Sequence, residues 1–281
     1  MSLLAELNSL MHKYRFTPDR KMNQYFLIDE SIIKKFIFET APQKKETILE
    51  IAPGAGFLTS ELAKKSNVLA IEPDAALFEM LKQEIPSGNF NFYNGNIIET
   101  LHLLPEFSKV VCSQPYALSS EEMFALLSRD FELAVLAFQI EFAEKLLAEP
   151  GLIDYSALSV MANYFYSAEI ISKIPGNSFF PNAPGQIVMA RLKSKGKFSE
   201  IENLALFCKF LKSLFRFRNK NLSNAMRNIF KVMENDIAEK TRGKITKERF
   251  MEIPGGQKFA DEKIYLLEPK HFINFYKEIF Q

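Results

Sequence analysis

The sequence has no tryptophan, only two cysteines and only three histidines in 281 residues. Cys112 and Cys208 sit in apolar stretches, without cysteine or histidine partners at metal-ligand spacing. That excludes a disulfide framework and a zinc module, and it is the pattern of a reduced, cytosolic chain. His12, His102 and His271 are scattered, so no metal is expected. Neither sign of charge is in excess: 35 Lys and Arg against 34 Asp and Glu leave a formal net charge of +1. A strongly basic field over the whole surface is excluded, but a local basic face is not. Long apolar runs are missing as well. The opening MSLLAELNSLMHKYRF is broken by Glu6 and Asn8, so it reads as neither a signal peptide nor a membrane span. No internal repeat is visible. What is present, 47% hydrophobic and 25% charged residues, is a globular composition. The length suits one large domain, or a larger domain with a smaller one. The 27 phenylalanines carry no functional meaning that the sequence alone reveals.

Short apolar runs alternate with helical patterns along the first two-thirds of the chain. TILEI (47–51), VLAIE (68–72), FNFYN (90–94), KVVCS (109–113) and LAVLAFQ (133–139) read as strands. An N-cap-like Asp29 precedes a helical SIIKKFIFET, and helical patterns follow most of the strands. Strands alternating with helices predict an α/β fold: a Rossmann-like, mostly parallel sheet flanked by helices. SAEIISKIP and GQIVMARLK are extended runs without a helix between them, which predicts an antiparallel pair at the sheet's end. The polar SKGKFSE (194–200) reads as a linker, and the rest is helical. The expected division is an α/β domain over 1–195 and a small helical domain over 196–281.

Two loops carry candidate chemistry. In Glu50-Ile-Ala-Pro-Gly54-Ala-Gly56 a strand ends in a glycine turn and a helix begins. Glycine lets backbone amides approach a ligand closely. The next strand ends at Glu72, whose carboxylate suits both hydroxyls of a ribose. The third glycine of the dinucleotide fingerprint is missing, which disfavours a nicotinamide-dependent oxidoreductase. The E-x-x-P-G-x-G form resembles the first motif of S-adenosylmethionine (SAM) methyltransferases. Asn96 follows the third strand, where that group usually has an Asp accepting from the adenine amino group; Asn offers one neutral acceptor. Both glycines and Asn96 also suit ordinary turns.

The second loop is Ser113-Gln114-Pro115-Tyr116, after the fourth strand. It resembles the (N/D/S)-x-P-(Y/F) motif of enzymes that methylate exocyclic amino groups. Such a nitrogen is a poor nucleophile because its lone pair is delocalised into the ring. Acceptors for its two N–H bonds, here the Ser113 hydroxyl and the Gln114 carbonyl, favour a localised lone pair. Pro115 shapes the turn, and Tyr116 offers a stacking face. An ordinary proline turn capped by a serine is the plainer alternative.

In combination and order, these motifs resemble the ribosomal RNA adenine dimethyltransferase family (KsgA/Dim type), in its archaeal form, over nearly the whole chain. Asn23-Gln24-Tyr25-Phe26-Leu27-Ile28-Asp29 resembles its GQNFLVD. Phe138–Leu146 resembles its Q-x-E-x-A-x-R-L helix, and Tyr155–Val160 its YGRLSV. Phe179-Phe180-Pro181 resembles its S-A-F-x-P loop, and Phe215–Leu222 its F-x-x-R-R-K-x-L segment. The resemblance implies SAM as cofactor, held by Tyr25, Leu27, Ala52, Gly54, Gly56, Glu72, Asn96 and Ser113. It implies a target base between Tyr116 and Phe179. It also implies N6-methylation, to the dimethyl stage, of two adjacent adenosines near the 3′ end of small-subunit rRNA during ribosome assembly, by a monomeric cytoplasmic enzyme. Departures fall at the site: Ala52 replaces a glycine, Tyr25 a small Asn or His, Asn96 an Asp, Ser113 an Asn and Gln114 a Leu. They leave open an alternative, a weakened or inactive relative that binds rRNA as an assembly factor. In the helical part Arg216, Arg218, Lys220 and Arg227 form a candidate phosphate-contacting surface, with a solvated helix face as the bland reading.

Overall fold

A computed structural model describes residues 1–85, 89–241, 246, 247, 250 and 258–281. The chain forms two compact units, one of residues 1–143 and 168–194, the other of residues 144–167 and 195–281. The change at 194/195 falls at the start of the expected linker. The stretch 144–167 differs from expectation: it joins the helical unit rather than the α/β unit. Only tertiary contacts decide this, so local pattern does not carry it.

The first unit is built on β2 (Thr47–Ile51), β3 (Asn67–Glu72), β4 (Phe90–Asn94), β5 (Lys109–Cys112), β6 (Leu133–Gln139), β7 (Tyr166–Ile174) and β9 (Ile187–Ser194). They lie in the order β4-β3-β2-β5-β6-β9-β7. β4, β3, β2, β5 and β6 pair in parallel, while β9 pairs antiparallel with β6. The central strands β2, β3, β5 and β6 are buried along most of their length, which is why they read as continuous apolar runs. Two-residue strands β1 (Phe26–Leu27) and β8 (Phe179–Phe180) pair with each other, Phe26 opposite Phe180 and Leu27 opposite Phe179. Two residues carry no period, so no sequence pattern announced this pair.

Helices α1 (Leu3–Tyr14), α2 (Glu30–Thr40), α3 (Phe57–Ala63), α4 (Ala75–Glu84), α5 (Ile97–Thr100) and α6 (Ser120–Leu127) accompany the sheet. Their starts are set by side chains: Asp29 caps α2, Asp74 caps α4, and Ser119 with Glu122 forms a capping box on α6. Ile32, Ile33 and Phe36 of α2 pack with Ile48, Val68, Val111 and Val135 of the sheet. Leu7 and Leu10 of α1 pack with Leu77, Met80 and Leu81 of α4 around Phe26. The sequence order of the strands reverses between β2 and β5, which puts a topological switch point at their carboxyl ends.

Helix α7 (Ile140–Leu147) leads the chain out of the first unit. The second unit contains α8 (Ala157–Phe165), α9 (Leu204–Phe215), α10 (Leu222–Thr241) and α11 (Pro269–Phe280). Its core explains much of the phenylalanine excess. Phe207 meets Tyr276 at 5.2 Å between ring centroids, Phe215 meets Phe272 at 5.3 Å, and Phe165 stacks on Phe198 at 4.5 Å. The buried hydroxyls find partners: Tyr155 donates to the Leu267 carbonyl and Tyr276 to that of Asn203.

Candidate functional site

A cavity of about 370 Å³ opens at the carboxyl ends of β2, β3, β4 and β5. Its size lies in the range of small-molecule sites. Four segments build it: the turn after β2, the end of β3, the turn after β4, and the loop after β5. Ala52, Gly54, Glu72, Asn96, Gln114 and Tyr116 line it, as the sequence reading expects. Apolar Ile51, Ile71, Leu77, Ile97 and Leu118 line it too. Met22, Asn23, Gln24 and Phe26 bring the N-terminal segment to its wall. The sequence reading left these without individual roles, although the NQYFLID match runs through three of them.

Backbone conformation explains the turn after β2. Gly54 has φ +61°, and a Cβ there would stand 2.7 Å from Gln114 Nε2 and 3.0 Å from the Phe26 ring. Ala52 also has a positive φ, +51°, which a non-glycine residue adopts at a cost of about 1–2 kcal/mol. Gly56, the N-cap of α3, does not line the cavity. A Cβ there would meet Leu81 at 2.7 Å and Ile85 at 2.8 Å, so it serves the packing of α3 onto α4.

Glu72 is buried, and both its oxygens accept backbone N–H groups, from Gly54 at 3.1 Å and Asp74 at 2.9 Å. Burial still pushes its pKa up to about 7, against those two hydrogen bonds. Glu50 is wholly buried, its oxygens outside good hydrogen-bond geometry with any described donor, the nearby Thr59 hydroxyl being the one that favours its charged form. Burial raises its pKa to about 8; nearby Thr59 opposes the shift and Glu72 adds to it. Sequence reasoning gave Glu50 no role; a charged residue within the otherwise apolar run TILEI was the available signal. The Asn96 side-chain oxygen accepts the Glu99 N–H at 3.0 Å and caps α5. One lone pair of the acceptor foreseen for an adenine amino group is therefore engaged; the other lone pair and the amide NH₂ stay on offer.

The loop after β5 is a turn closed by the Ala117 N–H donating to the Gln114 carbonyl at 3.3 Å. The Cys112 thiol approaches the same carbonyl at 3.5 Å. Ser113 is buried and faces a separate void of about 10 Å³, bounded by Leu27, Pro53 and Phe57, rather than the cavity. Leu27 likewise lies in the core. The Tyr116 hydroxyl donates to the Pro184 carbonyl, and the Tyr25 ring lies against the Tyr116 ring, 5.0 Å between centroids. Phe179 is 2% exposed, inside the apolar cluster that includes Tyr25. In this conformation Tyr25, rather than an open gap, faces Tyr116.

The N-terminal segment is tied down by a chain of polar contacts. Gln24 Oε1 accepts the Asp19 N–H at 2.8 Å, and its Nε2 donates to Asp74 at 2.6 Å. Gln114 Oε1 accepts the Tyr25 N–H at 3.3 Å. The segment thus joins the α4 cap to the loop after β5.

In the second unit the four basic residues part company. Arg216, Lys220 and Arg227 are exposed and make no ion pair with a described acidic residue. Arg218 instead spans two carbonyls, Ile153 at 2.6 Å and Leu152 at 3.3 Å, with its guanidinium over the Tyr265 ring. It clamps the 151–154 turn, and its donors on that side are spent.

Among the described residues no group of His, Cys, Asp or Glu is placed to hold a metal, and no helix is long and apolar enough to cross a membrane.

Comparison with known proteins follows the same lines. The family model described as ribosomal RNA adenine dimethylase matches residues 15–266. A probable ribosomal RNA small subunit methyltransferase A of Thermococcus sibiricus is 36% identical over 232 residues, 82% of this chain and 83% of that protein. Its counterpart in Pyrococcus furiosus is 38% identical over 218 residues, 77% of this chain and 78% of that protein. Among solved structures, a dimethyladenosine transferase from Plasmodium falciparum superposes with a TM-score of 0.74 at 24% identity, covering 90% of this chain and 96% of the other. The 23S rRNA methyltransferase ErmE gives 0.56 at 20% identity, over 91% and 100% of the two chains. At these identities the two structures speak to the fold alone.

Proposed function

The chain belongs to the ribosomal RNA adenine dimethylase family, and we propose that it uses SAM to methylate N6 of adenosines near the 3′ end of small-subunit rRNA, to the dimethyl stage, during ribosome assembly. It is a SAM-dependent rRNA adenine methyltransferase. The observation that carries the reading is a coincidence in space: Gly54, Glu72 and the Gln114–Tyr116 loop stand on the wall of one cavity. The residues present fit the cofactor. Glu72 offers a carboxylate for a ribose, its oxygens keeping lone pairs beyond the two N–H bonds. Ile71, Leu77, Ile97 and Leu118 offer an apolar slot for a flat ring. Asn96 would meet adenine with an amide N–H for a ring nitrogen or with the second lone pair of its oxygen for the amino group.

When bound, the cofactor supplies a methyl group already activated on sulfur. What remains for the protein is to bind, orient and exclude water. The Gln114 carbonyl is the acceptor nearest to the role of fixing the target amino group, with Pro115 holding the turn. Tyr116 presents the stacking face once Tyr25 yields it. The rRNA would meet exposed Arg216, Lys220 and Arg227 through its phosphates. We place the enzyme in the cytoplasm as a monomer.

One observation favours a second reading, a non-catalytic rRNA-binding assembly factor: the Tyr25 ring already covers Tyr116. A single experiment separates the two. Cofactor binding is measured by calorimetry, and methyl transfer on immature small ribosomal subunits. The enzyme reading expects binding, and transfer that Tyr116→Ala lowers at least a hundredfold with binding retained. Absence of binding at millimolar cofactor would refute it.

A further inference from the structure

Among the described residues that line the cavity there is no Lys, Arg or His, although the proposed cofactor carries a carboxylate on its amino-acid arm. An anion in such a site is held by neutral N–H donors. Three side-chain amides line the wall nearest Gly54: Asn23, Gln24 and Gln114. Asn23 is exposed to water. Gln24 is largely committed, its oxygen to the Asp19 N–H and one of its two N–H donors to Asp74. Gln114 is 6% exposed, and its amide is oriented by chemistry: Oε1 must face the Tyr25 N–H that it accepts, which turns Nε2 the other way. That nitrogen lies beside Gly54, where a Cβ would stand only 2.7 Å from it. It has no hydrogen-bond partner among the described residues. Facing the cavity, that NH₂ group is free to donate to an acceptor on a bound molecule in place of water.

Position selects which acceptor. Glu72 marks the ribose, and Asn96, Ile97 and Leu118 line the nucleobase part of the wall. Gln114 stands beside Gly54, which adjoins Glu72 through its N–H, so an amino-acid arm running on from the ribose passes within reach of it.

We propose that the Gln114 side-chain amide is a specificity determinant for the cofactor, donating from Nε2 to the carboxylate of the amino-acid arm while its Oε1 holds the N-terminal segment at Tyr25. The inference rests on the reading that this cavity takes SAM. It assigns the side chain a task separate from the backbone carbonyl of the same residue. It also gives the Leu-to-Gln departure a function: a neutral N–H donor stands at the arm where the family pattern has an apolar side chain.

The test uses two probes that differ in the arm: S-adenosylhomocysteine, which carries the carboxylate, and 5′-deoxy-5′-methylthioadenosine, which lacks it. Calorimetry at pH 8.5 compares the full-length protein with Gln114→Glu and Gln114→Leu. Gln114→Glu keeps an oxygen acceptor for the Tyr25 N–H but replaces the donor by a like charge. It should weaken S-adenosylhomocysteine at least about tenfold, the scale of a hydrogen bond to a charged group, and move the arm-less probe less than twofold. Gln114→Leu should show a smaller loss with the same selectivity. The arm-less probe also reports whether each variant retains a folded site. Unchanged S-adenosylhomocysteine affinity in Gln114→Glu overturns the proposal, and so does an equal loss of both probes, the mark of a merely structural role. Failure of the unaltered protein to bind either probe instead overturns the cofactor reading beneath it.

Discussion

Two buried carboxyl groups, Glu72 on the cavity wall and its neighbour Glu50, should make the stability of the first unit fall as pH rises. Glu50 finds no well-formed hydrogen bond among the described residues, and burial pushes its pKa up from 4.5 to about 8 against the opposing Thr59 hydroxyl. Glu72 is raised to about 7 by burial, less strongly because the Gly54 and Asp74 amides favour its charged form. In both, the folded value lies above the unfolded one. Their stabilising contribution is therefore complete below pH 4.5 and is lost as pH rises, up to about 7 for Glu72 and about 8 for Glu50. Within that window each group removes about 1.4 kcal/mol per pH unit. Between pH 5 and 7 Glu50 alone removes about 3 kcal/mol, a large share of the roughly 5–15 kcal/mol of a folded domain.

The assay is urea unfolding at pH 5, 6 and 7 for the unaltered protein and Glu50→Gln. An amide buried at position 50 costs about 1–3 kcal/mol for its unpaired groups, but that cost does not depend on pH. The slope of stability against pH is thus free of it. Glu50→Gln should flatten the slope by about 1.4 kcal/mol per unit, and the two stability curves should draw together toward neutral pH. Parallel curves over pH 5–7 would refute the reasoning, because they would place an ionised or well-solvated carboxylate at Glu50.

Ala52→Gly relieves a positive φ and removes a methyl group from the cavity wall. It should raise the thermal midpoint by about 1–3 °C, the net of relieved strain and added chain entropy, and tighten S-adenosylhomocysteine in calorimetry; a lowered midpoint counts against strain at this residue. Arg218→Ala should destabilise the second unit by about 2 kcal/mol in denaturant titrations, since two carbonyls lose a charged donor. Arg216→Glu with Arg227→Glu should leave stability within about 0.5 kcal/mol. The same pair should weaken rRNA binding and reduce its log–log salt slope by roughly 1.5, two phosphate contacts' worth; an unchanged slope removes these residues from the interface.

The legible parts of the fold were those whose burial leaves a local trace. β2 and β6 span the buried apolar runs TILEI and LAVLAFQ to the residue, the aromatic alternation of FNFYN marks the half-exposed β4, and Asp29 caps the helix that it precedes. The β1–β8 pair was illegible because its partners lie about 150 residues apart and each strand is two residues long. At the site, Glu72, Gly54 and Asn96 were legible because the ends of parallel strands in such a sheet converge on one edge. Side-chain direction was not. Ser113 and Gly56 sit in the right loops yet face the core, and Arg218 looked like its neighbours until the turn at 152–153 claimed its guanidinium.

The departures from the family pattern bear on whether the site still works. A pocket released from its task accumulates voids and orphaned polar groups, since nothing selects for refilling them. Here most replacements are packed or paired. The smaller Ser113 leaves a void of about 10 Å³, room for about one water molecule. The larger Tyr25 has its ring on Tyr116 and its amide on Gln114. Asn96 caps α5. The cavity itself stays open at about 370 Å³, with Gln114 turning an unspent donor toward it. That is the pattern of a site altered around a ligand rather than abandoned. Ala52 is the exception, because its methyl group brings strain and no contact that offsets it is evident. If the site is altered but working, Ala52→Gly should improve ligand affinity; if it is abandoned, the same change should improve stability alone.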